Sequence, residues 1–531
     1  MKNQISSKNS SFLKIILCFI FILFVFYPFI QMILKIEAED IKNVFNTPLF
    51  IPALKNSLKI SCITTFISVN LGLALALSLQ RTQIKCKSLL AILLTLPMLV
   101  PSISHGMSLT VLFGTNGIIS KLLNLEGTIY GFFGIIIGSV LYSYPVAFLM
   151  FNDVLKYQDS TPYEAATILG IPKSNITLNI TMPYLKKPLI ATIFSVFTMV
   201  ITDYGVPLMI GGKTTTLAVI MYQEVLGQLE FGKGSVIGLL LLIPAIITFI
   251  FNTVLKKQSN SNHTTKTFQL KKNRKRDSLA YFICTAIIFI IILLVLAFAI
   301  VAFTVKYPGN MTPTFNNIVK MFTLRGDAYL LNSIIIAFCV ATLGSGMAFT
   351  TAYLTARIPS KLSHTLHLFS ITTLAIPGLV LGLSYAMTFN STFIYGTIAI
   401  LILVNTMHFF ASPYQMMYNS LNKINENIEN VGKTLGINKT RIIFNIIIPQ
   451  CKSTFIEMFS YFFVNSMMTI SAVSFLANAS TKPISLMIGQ FEAQMLYECA
   501  AVISLIILFS NFIIKSIASY ANNKKTQLKD V

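Results

Sequence analysis

Gly211-Gly212-Lys213-Thr214 ends as a phosphate-binding loop ends, with a lysine and a hydroxyl after paired glycines. Such a loop cradles a nucleotide's phosphates on backbone N–H groups and needs another glycine five residues before the second of the pair. Pro207 stands there, so the segment is not read as a nucleotide site. Asp203, in Thr202-Asp203-Tyr204-Gly205, is the one carboxylate set well inside an apolar run. A charge there is costly in lipid and faces a cavity, a partner or the hydrated interface. His364 and His367 share a helical face, and His105 and His408 lie in other apolar runs. Metal ligation would need these side chains to converge, which no spacing shows, so packing is the simpler reading. The seven cysteines show no C-x-x-C pair, and an odd count offers no disulfide framework. No nucleophile–base constellation appears, so the chain is not read as an enzyme, and no cofactor or metal is expected on it.

The elements that position these residues are membrane spans. Of 531 residues, 54% are hydrophobic and only 11% charged, outside the range of soluble domains. Apolar runs long enough to cross a hydrocarbon core of roughly 30 Å recur throughout. Twelve are predicted, near 12–34, 56–79, 88–112, 131–152, 189–209, 235–255, 279–304, 329–354, 363–388, 395–418, 455–476 and 497–519. The fold class is therefore all-α and integral to the membrane. The first run follows Lys2, Lys8 and Lys14 but lacks a small-x-small cleavage site before Glu37-Ala38-Glu39-Asp40, so it reads as an uncleaved span. With a cytosolic N-terminus, 29 of the 40 Lys and Arg fall on the cytosolic side. That satisfies the positive-inside rule, puts both termini in the cytosol, and makes the net charge of +22 a topology signal rather than a nucleic-acid one.

Two halves share one template. Asn56-Ser57 recurs as Asn332-Ser333, and Pro101 with Gly106 recurs as Pro377 with Gly382, each 276 residues later. Ile129-Tyr130-Gly131 recurs as Ile394-Tyr395-Gly396 after a shorter offset of 265, because the loop between third and fourth spans is longer in the first half. Six spans per half give a parallel repeat about an axis along the membrane normal. The predicted organisation is a first half over 1–255, a basic cytosolic linker over 256–277 and a second half over 278–531. The linker's Lys271 to Arg276 block suits a membrane-surface anchor or a regulatory contact. Pro97, Pro101, Pro377 and Gly378 interrupt spans, as kinks at packing contacts or as a pathway.

Between the fourth and fifth spans of each half lies a polar insert. Glu164-Ala165-Ala166-Thr167-Ile168-Leu169-Gly170 is followed after nine residues by Ile180-Thr181-Met182-Pro183. Asn430-Val431-Gly432-Lys433-Thr434-Leu435-Gly436 leads likewise to Ile446-Ile447-Ile448-Pro449, every position displaced by 266. Each reads as a short helix ended by a left-handed glycine, capped in the first copy by Asp159 or Ser160, with Pro162 in its first turn. Such a helix can seat in a groove of a soluble partner.

This insert resembles the EAA loop of ATP-binding cassette (ABC) importer permeases: E-A-A, three residues, G, nine residues, then I-x-L-P. The first copy departs only at Met182. The second keeps Gly436, Ile446 and Pro449 but lacks E-A-A, with Glu429 one position early. The resemblance covers the whole chain as two fused type I importer permease halves. It implies two cytosolic ABC ATPases bearing ATP and Mg, a solute-binding protein outside, and residence in the cell's inner membrane. The fusion resembles the ferric iron, thiamine and 2-aminoethylphosphonate group. The string from Thr202 to Gly212, with Met221 to Val225 and Phe231 to Gly234, is most similar to 2-aminoethylphosphonate permeases, with ferric iron or thiamine as the alternative cargo. A translocation path is expected to be lined unequally, by Asp203 and Tyr204 in one half and by Thr469 and Ser471 in the other. The rival reading is an ion-coupled secondary transporter, which would need intramembrane carboxylates that this chain scarcely has. A membrane scaffold or enzyme has even less to recommend it.

Overall fold

The structure is a computed structural model describing residues 2–124, 128–156, 158–256, 273–425 and 427–527. Of the predicted linker, residues 257–272 lie outside the described residues. Arg274 already opens the next helix, whose first turn is capped by the Asn273 side chain. Among the described residues, eight helices are long and apolar enough to cross a membrane: Ser10–Leu34, Phe50–Gln80, Phe132–Lys156, Leu178–Ile201, Phe231–Phe251, Arg274–Ala302, Asn316–Ala356 and Tyr497–Asn522. Three bent pairs bring the count to eleven. These are Lys361–Ala375 with Gly378–Phe389 at 106°, Ile398–His408 with Ala411–Asn422 at 52°, and Lys439–Gln450 with Lys452–Met468 at 73°.

The predicted third span, 88–112, is absent from that count because it is broken into Lys87–Leu94, a 3-10 turn over Leu96–Leu99, and Ser102–Phe113. Its pieces occupy in the first half the place that the 106° pair occupies in the second. Among the described residues the one sheet is a hairpin of Thr304–Lys306 with Asn310–Pro313, in which Thr304 faces Pro313 and Lys306 faces Asn310.

Proline chemistry accounts for the breaks. A proline in a helix lacks an N–H and its ring crowds the carbonyl four residues back. Pro28 strands the carbonyl of Phe24, and the backbone passes through a π-helical stretch, Ile22–Phe26, just before it. The same pattern, π turn then proline, recurs at Thr177–Thr181 before Pro183 and at Ile443–Ile447 before Pro449. In lipid a freed carbonyl must find a protein donor. Tyr385 supplies one to Phe24 at 2.6 Å. In the broken third span, Tyr144 donates to the Leu94 carbonyl at 2.9 Å and Asn511 to that of Leu99 at 2.9 Å.

Two of these donors, Tyr385 and Asn511, come from the opposite half, and Tyr385 reaches Phe24 because the first span of each half crosses over. Ser10–Leu34 packs on the third and fourth spans of the second half, with Phe21 edge-on to Phe410 of the fourth at 5.0 Å and Phe26 against Phe369 of the third at 4.8 Å. Lysines pin both its ends to carbonyls: Lys14 to Ile358 at 2.8 Å, and Lys35 to Met387 at 2.6 Å. Reciprocally, Arg274–Ala302 packs on the second and third spans of the first half.

The repeated Asn-Ser pairs are pins of the same kind. After each fifth span the chain turns into an outer helix, Leu217–Gln228 or Ile484–Ala493. Ser57 accepts the first N–H of one such helix at 2.8 Å, and Ser333 that of the other at 2.7 Å. Asn56 and Asn332 donate to carbonyls of the residues just before, Thr215 at 3.2 Å and Ser480 at 2.9 Å.

Removing the hydroxyl that serves the Phe24 carbonyl is expected to destabilise the bundle by about 1 kcal/mol, the usual net worth of such a bond. Thermal unfolding of Tyr385→Phe in detergent checks this, with an unshifted midpoint counting against the assignment.

Candidate functional site

The two inserts lie at one end of the bundle and end their helices in the same way. In the first, Thr161–Ile168 begins with Asp159 accepting the Thr161 N–H at 3.1 Å, while Ser160 donates to Glu164 at 2.8 Å. Gly170 has φ +68°, its N–H reaches the Thr167 carbonyl at 3.1 Å, and the Ile171 N–H reaches that of Ala166 at 3.0 Å. That is a Schellman termination, which needs a left-handed residue at the glycine. In the second, Asn427–Thr434 ends at Gly436, also φ +68°, with Ile437 bonded back to Gly432 at 2.8 Å. A Cβ on either glycine would touch nothing within 4 Å, so backbone conformation rather than crowding demands glycine.

Apolar side chains crown both turns. Leu169 is 75% exposed and its equivalent Leu435 68%, and farther along Leu178 and Phe444 are 64% and 63% exposed. Glu164 and Ala165 are exposed, whereas Ala166 is buried. In the second insert the place of Ala166 is taken by Gly432, because Ile442 presses where a Cβ would stand, 2.2 Å from it. Ile180 and Ile446 are half-buried beside the π turns, and Pro183 and Pro449 are exposed at the start of the helices leading back into the bundle. Leu178–Ile201 continues as one helix, whereas its counterpart bends by 73°.

Two arginines that sequence reading counted only as topology signals hold these inserts. Arg81 and Arg357 each cap the second span of their half, 276 residues apart, the offset already shared by the Asn-Ser pairs. Arg81 donates to Gln158, which donates to the Tyr163 hydroxyl at 2.6 Å, and its guanidinium lies 5.9 Å from the Tyr163 ring. Arg357 grips both carboxylate oxygens of Glu429, at 2.8 Å through Nε, and also the carbonyls of Ile424 at 2.8 Å and Asn425 at 2.9 Å. Glu429 therefore faces inward, unlike the exposed Glu164.

The candidate path residues sit where the two halves meet. Asp203 is not within the fifth span, which stops at Ile201. It lies in the following turn and caps the short helix Gly205–Ile210, accepting N–H groups of Gly205 at 3.3 Å and Val206 at 3.1 Å, beside the Ser102 hydroxyl. Thr469, displaced by 266, instead ends Lys452–Met468 in extended conformation, and its carbonyl accepts from Ser485 at 2.7 Å. Tyr204 stacks on Tyr222 with centroids 4.5 Å apart and pairs with Ser474 of the other half at 2.8 Å. A Cβ on Gly205 would strike Ser102 Oγ at 2.3 Å, and one on Gly378 would strike Ser471 Oγ at 2.4 Å. Ser102 and Gly378 are equivalent positions, as are Gly205 and Ser471. Each junction thus holds one hydroxyl, supplied from opposite sides. Buried Tyr204, Ile470 and Phe475 fill the meeting point.

The other chemical candidates do not converge. Among the described residues no group of three or more His, Cys, Asp and Glu could hold a metal ion. His367 pairs with Tyr414 at 2.5 Å, His105 with the Pro101 carbonyl at 3.2 Å, and His408 lies beside Gly378. Lys213 and Thr214 form part of the turn before an outer helix.

Comparison with known proteins decides the family. Residues 68–259 and 341–527 each match the binding-protein-dependent transport system inner membrane component family. The chain belongs to that family. It carries two copies of the family's unit and is a multi-pass inner-membrane permease subunit, not an enzyme, of a kind that works with an ATPase and a binding protein. It is 26% identical to the ferric transport system permease protein FbpB of Actinobacillus pleuropneumoniae, covering 94% of this chain and 77% of that one. It is 22% identical to the Fe(3+)-transport system permease protein FbpB 2 of Haemophilus influenzae, over 93% and 95%. A solved bacterial ABC transporter involved in the import of the acidic polysaccharide alginate aligns at 15% identity and a TM-score of 0.39, over 49% of this chain and 100% of that one.

Because Asp203 caps two backbone N–H groups, Asp203→Ala is expected to cost about 1–2 kcal/mol of stability. Asp203→Asn keeps an acceptor and should cost less. If thermal unfolding shows the two variants equally impaired, capping is not what this carboxylate does for the fold.

Proposed function

We propose that this permease imports ferric iron delivered by a solute-binding protein, driven by two ABC ATPases that seat on its two inserts. The observation that carries the reading is the pair of inserts: two Schellman-ended helices with exposed apolar tips, placed alike in the two halves. Two equivalent sockets call for two copies of one partner. The excess of Lys and Arg on this side supports placing the inserts and both termini in the cytosol, with the outer helices toward the binding protein. ATP and Mg then belong to the partner subunits.

Iron as cargo is supported by the two relatives named for ferric transport, each matched over more than nine-tenths of this chain. They favour it over the 2-aminoethylphosphonate toward which the Thr202 to Gly212 string leans. The path runs between the halves past Asp203, Tyr204, Thr469 and Ser471. Closure of the ATPases draws the inserts together, and rocking of the halves parts the Tyr204–Ser474 contact, opening the centre to the other side.

Proteoliposomes holding the permease with its ATPases and binding protein should take up radiolabelled ferric iron only with ATP. Uptake of 2-aminoethylphosphonate or thiamine instead would reassign the cargo. Uptake by the permease alone on an ion gradient would overturn the ATP-driven reading. Asp203→Asn should slow uptake in this assay, and unchanged transport would remove Asp203 from the path. Gly170→Val imposes a left-handed strain of roughly 1–2 kcal/mol on the insert and puts a branched side chain on the docking tip. It is expected to uncouple ATP hydrolysis from uptake while the membrane bundle keeps its unfolding temperature, and normal uptake would contradict the socket.

A further inference from the structure

The inserts project from the bundle, yet a projecting loop transmits force only if it is stiffly joined to the spans. Arg357 makes such a joint. It caps the second span of its half, binds the carbonyls where the fourth span ends, and clamps Glu429 on the insert helix. Three elements meet in one planar guanidinium, whose five donors suit such a junction. The pair is largely desolvated, with side-chain exposures of 4% for Arg357 and 16% for Glu429. Removing either partner leaves a buried charge uncompensated, which is far more disruptive than loss of a surface pair.

The first half makes the corresponding joint with different chemistry. Position 163, equivalent to 429, carries tyrosine, which faces Arg81 and reaches Thr181 in the π turn of the insert at 2.9 Å. Glu429 is therefore not a displaced copy of Glu164. It occupies the seat of Tyr163, and the equivalent of Glu164 is Asn430.

We propose that Arg357 and Glu429 form a positioning strut that ties the second insert to the second and fourth spans, and that this strut keeps the insert lacking E-A-A coupled to transport. The proposal rests on the reading of the inserts as ATPase sockets. Its first test uses the permease alone in nanodiscs, by hydrogen exchange over residues 427–437. Glu429→Ala and Arg357→Ala should each speed exchange there by roughly tenfold or more, while 161–171 stays unchanged. The double variant should be no worse than Arg357→Ala alone, since removing Arg357 already breaks the link to Glu429.

In the assembled importer, Glu429→Ala should lower solute moved per ATP hydrolysed several-fold, with both ATPases still bound. Glu429→Gln, which keeps the shape but not the charge, should fall between it and the native chain. Unchanged exchange in both single variants would overturn the strut. Faster exchange with an unchanged transport-to-hydrolysis ratio would equally overturn it, by reducing the pair to a local structural contact. Failure of the native chain itself to assemble with an ATPase would sink the socket reading and the strut's purpose with it. That failure shows before any substitution is made, so the two are told apart.

Discussion

A backbone carbonyl freed inside lipid must find a donor within the protein, and much of this architecture follows from that demand. Pro28 strands a carbonyl that Tyr385 serves. The broken third span of the first half has its carbonyls served by Tyr144 from its own half and by Asn511 from the last span of the other, where Lys515 also donates to the Thr95 hydroxyl. Breaks inside the bundle, such as those at Pro28 and between Pro97 and Pro101, are therefore tolerable where a donor from a neighbouring span reaches them. The irregular backbone around Pro101, Pro377 and Asp203 is concentrated where the two halves meet, as expected if irregular segments survive in a membrane only against protein or a cavity.

The repeat conserves jobs more faithfully than residues. Ser57 and Ser333 do one job with one residue type. At the central junctions the small hydroxyl is supplied by Ser102 against Gly205 in one half and by Ser471 against Gly378 in the other. At the inserts the same seat holds an aromatic ring over an arginine in one half and a carboxylate in its fork in the other. Such exchanges keep a contact in the same place while changing its chemistry between the halves.

Elements that rest on local spacing were legible in the sequence: the spans, the left-handed Gly170 and Gly436, and the positions of Asn56-Ser57 and Asn332-Ser333. What those Asn-Ser pairs hold was not, because their partners lie about 150 residues away. The end of the fifth span was misplaced because Val206 to Ile210 is as apolar as the helix before it, and a buried turn and a buried helix look alike by composition. Arg81 and Arg357 were hidden by their own plausibility, since positive charge at that end of a span is already explained by topology. Their shared 276-residue offset was the available signal. The break in the third span was foreshadowed by Pro97 and Pro101, but its severity depends on donors from distant segments.

The crossed first spans redefine what can move. The family's repeated unit begins at residues 68 and 341, after each exchanged helix. Ser10–Leu34 is packed on and pinned to the second half, and Arg274–Ala302 is packed on the first as well as on the last span of its own half. Each mechanical body is thus assembled from two separate stretches of chain, like a pair of hands each wearing the other's cuff. Any displacement of one half drags a helix whose covalent continuation belongs to the other.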